Sequence, residues 1–224
     1  YNKTDIERAT KDYTNTSKNY FGERDAINLV GEYNFDLDTR IVYGLDNEID
    51  KAYYQKDWPY SYTPTDSEIY SQYFDVQFRP LEKLYSTIGF RRDDHKIAGD
   101  ETTGRTTVAY KLNNNSKIRS SIGTGIKFPV LYDHYYGTTV KDKEILKAER
   151  SKSFDIGYET FIEKMNMNLN ISAFKITYDE PLESQEGNVD NGNTWVTMNS
   201  PGKIKSKGIE LSTNWKPKSN FNIN

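Results

Sequence analysis

The sequence predicts an all-β fold, an antiparallel up-and-down transmembrane β-barrel present in part, with about ten strands and the start of another. Three observations predict it. Apolar and polar residues alternate with period two along most of the chain. Short polar turns alternate strictly with long connections. The stripes run to roughly ten residues, close to the roughly 9–11 a tilted strand needs to cross a bilayer. Strands of soluble proteins average about five or six.

The stripes follow in order. Ile27, Leu29, Gly31, Tyr33 and Phe35 share one face, opposite Asn28, Glu32 and Asn34. Ile41, Tyr43 and Leu45 form the next stripe, then Tyr70, Phe74, Val76 and Phe78, then Ser86, Ile88 and Phe90. Val108, Tyr110 and Leu112 precede Ile118, Ile122 and Ile126, which oppose Arg119, Gly123, Gly125 and Lys127. Phe154, Ile156 and Tyr158 oppose Asp155, Gly157 and Glu159. Met167, Leu169 and Ile171 come next, and Ile209, Leu211, Thr213 and Trp215 oppose Gly208 and Glu210. The phase slips near Phe174 and Ile176, where a β-bulge is expected. Short turns fall near residues 34–38, 79–83, 113–116, 163–164 and 217–220. Long connections fall near residues 10–20, 48–65, 93–102, 129–150 and 179–203. A barrel that keeps its short turns on one side of a membrane has this pattern. The apolar face would meet lipid and the polar face a lumen. Tyr33, Tyr43, Tyr110, Tyr158 and Trp215 near strand ends suit aromatic girdles. On periodicity alone, a large soluble sheet with one packed face reads the same way.

Composition narrows the classes. The 224 residues are 35% hydrophobic, 14% aromatic and 28% charged, with no Cys and a net charge of −3. Disulfide scaffolds and cysteine metal sites are excluded. No apolar run approaches the roughly 18 residues of a membrane-spanning helix. Nothing in the charge suggests nucleic acid as a partner. A mean hydropathy of −0.87 suits a wall that meets lipid only on alternate residues. The chain begins at Tyr1 and ends on the alternating Phe221-Asn222-Ile223-Asn224, so residues 1–224 are expected to be a piece of a longer barrel.

Three segments carry a family resemblance. Arg119-Ser120-Ser121-Ile122-Gly123-Thr124-Gly125-Ile126-Lys127-Phe128-Pro129-Val130-Leu131-Tyr132 resembles the Gly-x-Gly-aromatic-Lys/Arg-x-Pro-x-Leu segment of TonB-dependent outer-membrane receptors. Leu146-Lys147-Ala148-Glu149-Arg150-Ser151-Lys152-Ser153-Phe154-Asp155-Ile156-Gly157-Tyr158-Glu159 resembles that family's Leu-x-Pro-Glu-x-Ser strand start. Asn199, followed by Gly202 and by Lys207-Gly208-Ile209-Glu210-Leu211, is similar to its Asn…Gly…Arg/Lys-Gly-hydrophobic-Glu strand. The motif positions Gly123, Gly125, Lys127, Pro129, Leu131, Glu149, Ser151, Gly157, Gly208 and Glu210 read as architectural. Ile126, Phe128 and Ala148 depart from the pattern, standing where the family has an aromatic, a small residue and a proline.

The resemblance implies a piece of the middle-to-late part of a barrel of about 22 strands, without the family's plug domain or its last strand. It implies a Gram-negative outer-membrane receptor for a scarce nutrient, a ferric siderophore or cobalamin-like ligand. Such receptors are energised by the TonB complex through the plug, with outer-membrane lipid around the wall. It implies no enzyme activity and no cofactor. A passive porin or adhesin barrel and a soluble glycan-binding β-protein are the alternatives.

Candidate binding residues lie on the long connections. Trp58, Tyr60 and Tyr62 cluster with Tyr53 and Tyr54 in one; Tyr132, His134, Tyr135 and Tyr136 share another; Trp195 sits in a third. Flat aromatics beside Arg91 and Arg92 suit a bulky chelate, gripped by stacking and charge. Asp93-Asp94-His95 reads as a solvated loop tip rather than a cation site. Glu210, Glu159, Asp155 and Arg119 are expected to pair on the lumen face, with one another or with residues of a plug. No Gly-x-Ser-x-Gly occurs, and the two histidines sit beside no serine at a strand spacing that suggests hydrolysis.

Overall fold

In the computed structural model the alternating stripes become thirteen strands among the described residues. It describes the backbone of residues 2–11, 17–56, 61–131, 133, 146–186, 195–218 and 221–223, and the side chains of residues 4, 21–52, 65–131, 133, 146–183 and 197–217. The strands are β1 (Asn2–Lys11), β2 (Ser17–Asn34), β3 (Thr39–Lys56), β4 (Ser61–Leu81), β5 (Leu84–His95), β6 (Gly99–Lys111) and β7 (Ser116–Lys127). β8 (Glu149–Ile162), β9 (Met167–Asp179), β10 (Leu182–Glu186), β11 (Trp195–Asn199), β12 (Lys203–Lys218) and β13 (Phe221–Ile223) follow. Eleven of them form one sheet in the order β1-β2-β3-β4-β5-β6-β7-β8-β9-β12-β13. β10 and β11 form a separate hairpin between β9 and β12. Every neighbour in the large sheet pairs antiparallel.

The register gives the sheet two chemically distinct faces. Tyr110, Ile118, Tyr158, Ile171 and Leu211 are successive partners across β6, β7, β8, β9 and β12. One residue along, the row is Lys111, Lys117, Glu159, Asn170 and Ser212. The first row belongs to the outward, apolar face and the second to the inward, polar one. Outward side chains stay open to their surroundings, with Leu211 67% and Ile209 79% exposed. The buried apolar side chains among the described residues are few: Leu146, Ala148, Pro129 and Pro181. A single-layer wall has no inner core, because its apolar face is meant for lipid.

The turns that join β2 to β3, β4 to β5, β6 to β7 and β8 to β9 fall on one edge, where the sequence places them, while the three residues 96–98 turn β5 into β6 at the other. Asp38 N–H donates to Asp36 Oδ1 at 2.7 Å and Asn115 N–H to Asn113 Oδ1 at 2.9 Å, two Asx turns. The 3-10 turn Glu163–Met165 ends on Asn166 at φ 48°, a left-handed conformation that Asn tolerates better than most residues.

Three expectations need correction. The segments near 48–65 and 93–102 are mostly strand: β3 runs to Lys56, β4 starts at Ser61, and only residues 96–98 separate β5 from β6. Backbone pairing is indifferent to side-chain polarity, so a sheet continues into water where its hydropathy stripe ends. β2, β3 and β4, at 18, 18 and 21 residues, are about twice the length that crosses lipid. The segment near 179–203 is the expected long connection, from β9 to its sheet neighbour β12, and it holds the β10–β11 hairpin. There is no bulge at Phe174 and Ile176, where β9 keeps one register with both β8 and β12. The apparent slip arises because Phe174 and Ile176 are apolar residues on the inward face, with Phe174 lying over Gly208. Register shifts fall instead between Phe78 and Leu81, beside the turn into β5, and between Trp215 and Lys218 near the end of β12.

Candidate functional site: the inward face and its mouth

The inward face is a ladder of paired charges. Arg119 on β7 reaches two carboxylates of β8, Glu159 at 2.7 Å and Asp155 at 3.1 Å. Lys117 adds a contact to Glu159 at 2.9 Å, and Ser121 donates to Asp155. Arg105 on β6 meets Asp75 of β4 at 3.1 Å. Higher up, Arg91 bridges Asp46 at 2.9 Å and Asp93 at 2.8 Å, and Ser71 donates to the buried Asp93 at 2.6 Å. Asn28 also donates to Asp46. Glycine makes room for these bridges. A Cβ on Gly89 would sit 2.0 Å from Asp75 Oδ1, and one on Gly157 would sit 3.3 Å from the Arg119 guanidinium. Glu210 lies on this face but pairs with no described residue.

Above the apolar band the outward face turns charged as well, with Lys51 near Glu23 and Asp25 and Arg92 paired to Asp100 at 3.0 Å. That height marks the mouth of the wall. There Arg24 donates to Asp50 at 2.6 and 2.7 Å; hydrogen bonding to Asp50 raises the pKa of the guanidinium further, against the opposing effect of burial. His95 is buried beside it. Its Nδ1 accepts from the backbone N–H groups of Ile97 (3.1 Å) and Ala98 (3.0 Å), so the ring proton sits on Nε2. Nε2 is 3.0 Å from Ser67 Oγ. Phe128 stacks on the imidazole with ring centroids 4.6 Å apart. Arg24, Asp50, Ser67, His95, Phe128 and Val130 help line a cavity of about 680 Å³. Phe128, which replaces a small family residue, is thus a wall of this cavity. Sequence reasoning missed this cluster; the signal was that Ser67, Ser71, Asp93 and His95 share one strand-face parity.

The three motifs explain themselves as joints. Gly125 pairs with Ser151, Gly123 with Ser153 and Lys127 with Glu149 across β7 and β8. Ser151 Oγ donates to Gly125 O at 3.3 Å. Glu149 accepts from Lys127 Nζ at 3.3 Å and from Leu182 N–H at 3.2 Å, tying β8 to the β10 hairpin. After the buried Pro129, Val130 N–H donates to Asp133 Oδ2 at 3.1 Å and closes a turn that holds Leu131. Asn199, the first residue of the third motif, accepts from Lys147 N–H at 2.8 Å and donates to Lys147 O at 3.0 Å and Glu180 O at 3.1 Å.

Of the candidate binding residues, Arg91 and Arg92 are placed, and the structure separates them. Arg91 points inward into the Asp46–Asp93 pair, with the Tyr73 ring 5.6 Å away. Arg92 points outward. Trp58, Tyr60, Tyr132, His134, Tyr135 and Tyr136 lie outside the described residues. Tyr62 stands on β4 and Trp195 on β11, with Tyr53 and Tyr54 on β3; their side chains are outside the description. Asp93 and His95 point inward and are engaged as above, while Asp94 points outward, so the three do not converge.

A single-layer sheet with a lipid-facing apolar band, a charged inward face and a tall polar mouth is one part of the wall of a wide transmembrane β-barrel. The family described as "TonB dependent receptor-like, beta-barrel" matches residues 1–224, and the chain belongs to it. The family's barrels are those of Gram-negative outer membranes, and its members are receptors and transporters rather than enzymes. Among solved structures the chain resembles the copper transporter OprC, at 13% identity and a TM-score of 0.73 over 92% of this chain and 37% of that one. It also resembles the alcaligin outer-membrane receptor FauA of Bordetella pertussis, at 16% identity and a TM-score of 0.71 over 98% of this chain and 40% of that one. The ferric enterobactin receptor PfeA of Pseudomonas aeruginosa, solved with enterobactin, matches at 17% identity and a TM-score of 0.65, over 93% of this chain and 37% of that one. The chain therefore spans well under half the length of each. No curated protein sequence matches it.

Proposed function

We propose that residues 1–224 form part of the barrel wall of an active outer-membrane receptor for a scarce metal chelate, a ferric siderophore first and a cobalamin-like ligand second. The height of the wall carries this reading. β2, β3 and β4 continue past the lipid band and hold a vestibule whose cavity of about 680 Å³ falls in the size range of small-ligand sites. The structures it resembles include a receptor for alcaligin, a receptor solved with enterobactin, and a copper transporter, which supports a chelated metal as cargo. Energy would reach the receptor through TonB acting on a plug inside the barrel, and the paired charges of the inward face suit a wall that encloses protein. The binding contacts would come from the mouth: the aromatics of the long connections with Arg24 and the Ser67–His95–Phe128 cluster.

The test is growth. A strain lacking the complete gene should fail to use one ferric siderophore as sole iron source, and uptake of the labelled chelate should stop on addition of a protonophore. Planar-bilayer recordings of the complete protein should be nearly silent. A steady open conductance, with uptake unaffected by the protonophore, would establish a passive pore instead.

A further inference from the structure

Four lysines crowd the outward face where the lipid band of β8, β9 and β12 ends. Lys175 of β9 is the register partner of Lys207 on β12, and Lys152 and Lys205 are both partners of Thr177. All four share the outward parity of Phe154, Ile171, Ile209 and Leu211, and all four are exposed. Directly opposed side chains on antiparallel strands stand about 4.5–5.5 Å apart at Cβ, and like charges there are destabilising. None of the four forms an ion pair with a described residue. Asp179, the carboxylate nearest them on this face, is taken by Lys203 at 2.7 Å. Arg150, at the start of β8, is taken by Glu101 and Glu180. The patch thus carries an excess of positive charge, since Lys152 acts on Asp179 only in addition to Lys203 and Arg150. Its place gives the partner: Lys152, Lys175 and Lys207 stand one outward step, about 7 Å along each strand, beyond Phe154, Ala173 and Ile209, and Lys205 one step further, where acyl chains give way to headgroups.

We propose that Lys152, Lys175, Lys205 and Lys207 form a lipid-binding site for the phosphate groups of a headgroup in the outward leaflet. This rests on the outer-membrane reading above, with the long connections facing out of the cell. The phosphates would remove the lysine–lysine repulsion, and the lipid would in turn fix the height of the β8–β9–β12 wall in the membrane.

The complete protein in detergent would be titrated with diphosphoryl lipid A and with the same glycolipid lacking its phosphates, bound lipid being read by native mass spectrometry. Lysines near a charged lipid surface contribute roughly fivefold each to binding. Lys175→Gln with Lys207→Gln should therefore weaken the phosphorylated lipid about 25-fold, and Lys175→Arg with Lys207→Arg should keep it. Without lipid, the Gln variant should be at least as resistant to thermal unfolding as the parent. Equal binding by parent and Gln variant, or by both glycolipids, overturns the proposal. So does displacement of the lipid by equimolar inorganic phosphate, which would make this a free-anion site. Fractionation of the complete protein outside the outer membrane would overturn the transport reading together with this one. Unchanged lipid binding in a protein that does reside there overturns the lipid site alone.

Discussion

Asp75 and Arg105 sit two strands apart and meet at 3.1 Å over Gly89, the residue of the intervening strand that pairs with both. The ion pair exists because the middle strand carries no side chain there. A Cβ at Gly89 would stand 2.0 Å from Asp75 Oδ1, so Gly89→Ala displaces the carboxylate. The pair, with Arg105 mostly exposed, is worth up to about 1 kcal/mol. With added strain, the expected loss on Gly89→Ala is about 1–2 kcal/mol. Urea unfolding of the complete barrel in vesicles measures it. In an Asp75→Ala background the same substitution should cost much less, which a double-mutant cycle reads directly.

Asn199 holds the start of β8 from across the long connections. Asn199→Ala leaves the N–H and C=O of Lys147 without their partner. The expected cost is local, about 1–2 kcal/mol. It should appear as faster hydrogen exchange at Lys147 and faster proteolysis between β7 and β8, with the unfolding midpoint of the barrel little moved. Unchanged exchange at Lys147 would show that the buried Leu146 and Ala148 anchor the joint by themselves.

How much of this was legible in the sequence follows from what each feature depends on. The stripes of Ile27–Phe35 and Ile209–Trp215 and the Asx turns at Asp36 and Asn113 are local, so the faces and the tight edge could be read directly. The extension of β3 and β4 could not, because polar residues 48–65 look like a loop until the neighbouring strand supplies their hydrogen bonds. Phe174 misled because an inward apolar residue breaks the stripe without breaking the register. The Ser67–His95–Phe128 cluster joins three distant segments and needed the fold. The lysine patch was half visible, as Lys203-x-Lys205-x-Lys207, but its opposition to Lys175 is a register fact.

Asp179 gives the mouth a measurable titration. Hydrogen bonding and charge from Lys203, with smaller contributions from Lys152 and Arg150, hold its carboxyl below the usual carboxylate range. The folded value lies below the unfolded one. The contact therefore contributes fully above the unfolded carboxylate pKa and is lost as pH falls through the lower, folded value. Carbon-detected NMR of labelled Asp179 should show the depressed titration, and Lys203→Gln should return it toward the ordinary range. A Lys203→Gln variant with an unshifted titration would assign the effect to Lys152 and Arg150 instead.

The two faces predict opposite costs for the same substitution one residue apart. Leu211 is an outward, lipid-facing residue flanked by Ile209 and Thr213, while Ser212 faces inward beside its partner Asn170. Arginine at a lipid-facing position costs about 2–4 kcal/mol near the bilayer midplane and little in a polar lumen. Leu211→Arg should therefore lower the folding free energy of the complete barrel in vesicles by about that amount, and Ser212→Arg by less than about 1 kcal/mol. In a soluble sheet the outward face would meet water, and Leu211→Arg would then be the milder change of the two. Equilibrium folding into phosphatidylcholine vesicles decides between these outcomes. A near-zero cost at Leu211 would remove the membrane from the whole account, since that residue belongs to the row Tyr110, Ile118, Tyr158 and Ile171 that defines the lipid face.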